Sequence, residues 1–103
     1  MALREYPVGS AWVEIQDGKR VINVITFVGT VTNLINMQQF VVDGRKKSLG
    51  PTRARCRPEL LDTFTEATEE DWTVVGRLIP ELKKSRFVSI DMTPFIRAMS
   101  VKV

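Results

Sequence analysis

The chain contains no histidine and a single cysteine, Cys56. Without histidine it lacks the side chain that most often serves as a general base near neutral pH and as a metal ligand. A lone cysteine forms no internal disulfide, which fits a reducing compartment. One cysteine with no histidine also excludes the usual structural zinc patterns. Glycine-rich phosphate loops, a nucleophile elbow and a Ser–Lys motif are missing as well. No long apolar run opens the chain, and Met1 to Pro7 mixes Arg4, Glu5 and Tyr6, which matches neither a signal peptide nor a membrane span. These absences argue against an enzyme, a metalloprotein and a membrane protein. A soluble cytoplasmic protein with no cofactor is the expectation.

What is present is 103 residues with 44% apolar content, enough for one core and one domain over 1–103. The net charge of +3 is mild but unevenly distributed. From Arg45 to Arg57 every charged residue is basic: Arg45, Lys46, Lys47, Arg53, Arg55 and Arg57. From Glu59 to Asp71 every charged residue is acidic: Glu59, Asp62, Glu66, Glu69, Glu70 and Asp71. Two adjacent blocks of opposite sign either pair with each other or present separate surfaces.

The first half reads as strands. Asp17-Gly18 lies between β-branched runs, and both residues tolerate the positive φ of a two-residue hairpin turn. That turn sets Val13 opposite Ile22 and Ala11 opposite Val24, so Ala11, Val13, Ile15, Ile22, Val24 and Val28 share a core face. The other face carries Trp12, Val21, Ile25 and Phe27 among Glu14, Gln16, Lys19 and Asn23, too apolar to be left wet, which predicts a closed or covered sheet. Gly29 suits a bend, with Thr30 to Asn33 continuing the ribbon. A second Asp-Gly, Asp43-Gly44, predicts another hairpin with a basic return strand. After a break at Gly50-Pro51, Thr52 to Arg57 alternates, sending Thr52, Ala54 and Cys56 inward and Arg53, Arg55 and Arg57 outward.

At Pro58 the character changes. Pro58 and Glu59 suit a helix start, and Pro58 to Ala67 reads as a brief helix. Thr68 and Asp71 form a capping-box pattern for a second helix that would bury Trp72, Val75, Ile79 and Leu82. Gly76 and Pro80 predict a break before Pro80; the rival reading makes Trp72 to Leu78 a strand. Phe87 to Ile90 and Met99 to Val103 read as strands, and Thr93-Pro94 as a turn or helix start.

Pro7-Val8-Gly9-Ser10-Ala11-Trp12, the Gly-turn hairpin, and Arg55 to Phe64 ending in Leu60-Leu61-Asp62-Thr63-Phe64 resemble the small SH3-like β-barrel domains of bacteriophage and bacterial accessory proteins. In these an arginine-containing strand leads into a short Leu-x-x-Phe turn. The resemblance covers roughly the first two thirds of the chain and leaves Thr68 to Val103 without a counterpart. It implies an interaction scaffold and supplies no catalytic residues. The expected fold is therefore α+β: an SH3-like antiparallel barrel over about 7–57, a helical segment over 58–85 and terminal strands over 86–103.

Two surfaces follow. Arg53, Arg55 and Arg57 at a period of two form a ladder that, with Arg45, Lys46 and Lys47, suits a phosphate backbone. Against this stands a solvated face paired partly with Glu59 and Asp62. Tyr6, Trp12, Phe27, Phe40 and Trp72 are the aromatics available for stacking bases, and most read as core or hairpin residues. The alternative is a protein–protein inhibitor or adaptor that uses Glu59, Asp62, Glu66, Glu69, Glu70 and Asp71 beside Trp72. Glu69, Glu70 and Asp71 read as a charged first helical turn rather than a catalytic set. Cys56 reads as buried and inert, because alternation points it away from the flanking arginines. The expected function is thus a non-catalytic binding module, a phage or accessory regulatory protein contacting nucleic acid or a host or viral protein.

Overall fold

In a computed structural model the described residues are 5–85 and 91–100. Strand β1 (Ala11–Gln16) turns at Asp17-Gly18 into β2 (Lys19–Val28). Asp17 and Gly18 take φ values of 50° and 78°, and Val13 pairs with Ile22 as expected. Strand β3 (Ile35–Asp43) follows a loop, and β4 (Lys46–Cys56) returns beside it. Gly29 to Leu34 do not extend the ribbon: Gly29 N donates to Leu34 O, and Asn33 N to Gly29 O, which closes the loop. The second turn is Gly44-Arg45, one residue later than the Asp-Gly pair suggests, because Asp43 is already paired with Lys46.

A 3-10 helix (Pro58–Thr63) then leads into the two-residue strand β5 (Thr65–Glu66), where a single brief helix was expected. β5 pairs with β1, giving one antiparallel sheet of order β4-β3-β2-β1-β5. Among the described residues the sheet is not closed into a barrel. Three strand spacings, about 14 Å if flat, separate β1 from β4. Even so, Arg53 Nη1 lies 3.5 Å from Glu14 Oε1.

Helix α1 (Glu69–Lys84) opens with the anticipated capping box. Thr68 Oγ1 accepts from Asp71 N at 3.2 Å, and Thr68 N donates to Asp71 Oδ2 at 2.8 Å. The helix runs unbroken through Gly76 and Pro80, which corrects both the expected break and the strand alternative. Its buried stripe of Trp72, Val75, Leu78, Ile79 and Leu82 supplies the packing that overrides local propensity. Pro80 sits on the exposed side. Gly76 faces a second, five-residue helix α2 (Ile96–Ser100), where an added Cβ would meet Ala98 O at 3.0 Å. Thr93–Phe95 form the 3-10 turn before α2, and Met99 and Ser100 are helical rather than strand. The strand expected at Phe87 to Ile90, and Val101 to Val103, lie outside the described residues.

Both sheet faces are covered near the middle. One packs Ala11, Val13, Ile22, Val24 and Phe40 against α1 and Phe95. The other packs Ile25, Ile35 and Met37 against Leu61, Phe64, Tyr6 and Trp12. A bulge between Ile25 and Phe27 swaps the parity of the strand end. Val28 therefore joins Ile25 in the second core, and Phe27 is left 56% exposed. Ile15, expected in the core, is also exposed. Asn23, on the face expected to be covered, is fully buried. Its side chain donates to Trp12 O at 3.1 Å and accepts from Gln39 Nε2 at 2.9 Å.

Candidate nucleic-acid interface

Among the described residues β4 forms one edge of the sheet, and one side of its backbone has no strand partner there. It runs without interruption through Gly50-Pro51, where one extra residue is accommodated between the pairs Phe40–Leu49 and Gln38–Thr52. A second extra residue lies between the pairs Met37–Arg53 and Ile35–Cys56. Arg55 is at this bulge with φ 59°, and its N–H donates to Asn36 Oδ1 at 3.0 Å. A left-handed backbone is costly for a residue with a Cβ. The bond to Asn36 Oδ1 satisfies the N–H that the ladder has released.

That bulge removes the arginine ladder. Arg53 pairs with Met37, shares the face of the second core, and ends against Glu14 at 3.5 Å. Arg55 and Arg57 are exposed, but Thr52 and Ala54 are exposed too, so the small residues do not all point inward. Cys56 is half-buried, packed on the second core, with its Sγ 3.8 Å from Ala54 O. Arg45, Lys46 and Lys47 are exposed at the opposite end of the strand. Nine residue steps separate Lys46 from Arg55, about 30 Å of extended chain. The cations therefore form two groups along one edge, not one continuous patch. Among the described residues, no ion pair engages Arg45, Lys46, Lys47, Arg55 or Arg57, and the pairing with Glu59 and Asp62 does not occur.

The acidic segment is dispersed more severely. Trp72 is 1% exposed, under Arg97, whose guanidinium lies 5.5 Å from the ring centroid, so it offers no surface anchor. Asp71 is also buried, and it accepts Arg20 Nε and Nη2 at 2.7 Å each. Burial opposes its ionisation. The hydrogen bonds from Arg20 and Thr68 outweigh that cost and hold the carboxyl below its ordinary pKa, while Arg20 is raised by the same pair. Asp62 accepts from the Tyr6 hydroxyl at 2.6 Å. Glu59, Glu66, Glu69 and Glu70 remain exposed, spread over the 3-10 helix, β5 and the start of α1.

Sequence reasoning missed Asn36, and it named Phe27 as an aromatic available for stacking but set it on a covered sheet face, whereas the ring is 56% exposed. They are paired across β2 and β3, beside Arg55 on β4. Only the period shift at Thr26 exposes Phe27, and nothing in a Val-Ile-Thr-Phe-Val run marks a bulge. Comparison with family models, with curated proteins and with solved structures gives no match.

Proposed function

We propose that this chain is a non-catalytic binding module that receives a nucleic-acid backbone along the β4 edge. One observation carries the reading. Between Arg45 and Arg57 the edge strand and its flanks hold no acidic residue, and five of their six cations are exposed and free of ion pairs among the described residues. Arginine and lysine on a rigid strand suit phosphate oxygens, and releasing counterions from the backbone supplies the affinity. The SH3-like barrel remains the proposed scaffold. Its support is the return of β5 to β1 after the 3-10 helix, together with the Glu14–Arg53 contact that spans β1 to β4.

Binding of labelled oligonucleotides across a salt series tests the reading. Five phosphate contacts on a single strand give a log–log slope of about −3.5, from about −0.7 each. Alanine at Arg55 and Arg57 together should reduce that slope by about 1.4. Alanine at Arg53 should leave it nearly unchanged, because Glu14 already engages that side chain. The proposal is lost if the parent binds no nucleic acid at low salt. It is equally lost if alanine at all five free cations gives a folded protein that binds as well as the parent.

A further inference from the structure

The geometry points to a base-stacking subsite built on Phe27, Asn36 and Arg55, which makes an unpaired strand, rather than a duplex, the ligand of the β4 edge. The inference rests on the nucleic-acid reading above and adds the substrate class. Bulges in the two strands on either side of β3 flank the same residue. The β2 bulge lies between Ile25 and Phe27, and the β4 bulge lies between Arg53 and Cys56, each beside Asn36. Bulges re-aim side chains and gather near functional sites. Here the first turns an aromatic ring out to 56% exposure, where regular alternation would have sent it into the second core. The second holds Arg55 at φ 59°.

Asn36 joins the two. It is the Cα partner of Phe27, its carbonyl accepts from Thr26 Oγ1 at 3.3 Å, and its side chain accepts from Arg55 N at 3.0 Å. Phe27 and Arg55 are thus two strand spacings apart, about 10 Å. With the reach of an arginine side chain, that separation suits one nucleotide, its base on the ring and its phosphate on the guanidinium. Arg55 and Arg57 have no ion-pair partner among the described residues, so the charge beside the ring complements a phosphate. A planar exposed ring accepts any base face, but only when the base is out of a duplex stack.

The test uses the full chain and three probes: single-stranded oligo-dT, a duplex of the same length, and inorganic polyphosphate, which carries charge without bases. The parent should prefer oligo-dT to the duplex. Phe27→Ala should weaken oligo-dT binding by about 5- to 150-fold, the effect of removing one stacked base, with the salt slope and polyphosphate binding unchanged. Phe27→Leu keeps an apolar side chain and should lose as much, whereas Phe27→Trp should retain binding and show fluorescence quenching by the base. Equal binding of duplex and single strand, or Phe27 variants that bind oligo-dT like the parent, overturns the stacking subsite and leaves the phosphate reading standing. A parallel loss on polyphosphate also overturns it, since that marks a disturbed fold rather than a lost stack. If none of the three probes binds, the reading beneath it fails as well.

Discussion

Separating Arg20 from Asp71 is the sharpest perturbation of the link between sheet and helix. Asp71 closes the capping box of α1 and receives both Arg20 nitrogens at 2.7 Å. Its side chain is 5% exposed and that of Arg20 is 37% exposed. Asp71→Ala removes the reciprocal half of the capping box, a hydrogen bond worth about 1 kcal/mol, and charge-assisted bonds to Arg20 worth about 1.5–3 kcal/mol. Water screens the half-open Arg20, so the lower end applies, and the expected loss is about 2.5 kcal/mol. Arg20→Ala leaves the carboxylate buried on its Thr68 bonds, and should cost about 2 kcal/mol. Because the two substitutions break the same bonds, the double variant should fall short of their sum by about 1.5 kcal/mol.

The pH dependence has a definite sign. Asp71 is held below its ordinary pKa, so its contribution is complete above the unfolded value of about 3.9. It is lost as pH falls through the lower folded value. Without Arg20, burial is opposed only by Thr68, and the penalty of Arg20→Ala should shrink once the carboxyl protonates in acid. Urea unfolding of the four proteins from about pH 7 to about pH 3 measures both effects. A coupling under about 0.5 kcal/mol, or a penalty for Arg20→Ala that stays flat over that range, refutes the reasoning.

Three further outcomes are expected. Gly50→Ala should destabilise by about 1–3 kcal/mol, because its Cβ would lie 2.9 Å from Gln39 Cβ and 3.2 Å from Val41 Cγ2; urea midpoints at constant m-value check it. Pro80→Ala restores a helical N–H at an exposed interior position and should raise stability by about 1–3 kcal/mol, read as a rise in Tm. Trp72→Ala should cost about 3–5 kcal/mol, while a surface anchor would cost almost nothing, so chemical denaturation separates the two roles.

Much of the frame was legible before the structure, wherever the deciding residues sit a few positions apart. Asp17-Gly18 set the β1–β2 register because turn chemistry is local. Thr68 and Asp71 marked the start of α1 because a cap spans three residues, and Trp72, Val75, Ile79 and Leu82 announced its buried face through helical spacing. The β4 edge was legible as a basic segment for the same reason: charge is written in the residues themselves.

What each residue does with its side chain was settled only by partners far along the chain. Asp71 meets Arg20 across 51 positions, and Arg53 meets Glu14 across 39, which removed one member each from the acidic and basic surfaces. Pro80 stayed helical because the packed stripe of α1 outweighs one lost hydrogen bond. The bulges at Thr26 and Arg55 belong to the sheet as a whole. A bulge inserts a residue where neighbouring strands fall out of step, and a single shift reverses the face of every residue beyond it. Alternation in sequence therefore predicted an arginine ladder and an inward Phe27. The two bulges instead left Arg55 and Arg57 exposed without Arg53, and turned Phe27 out to solvent.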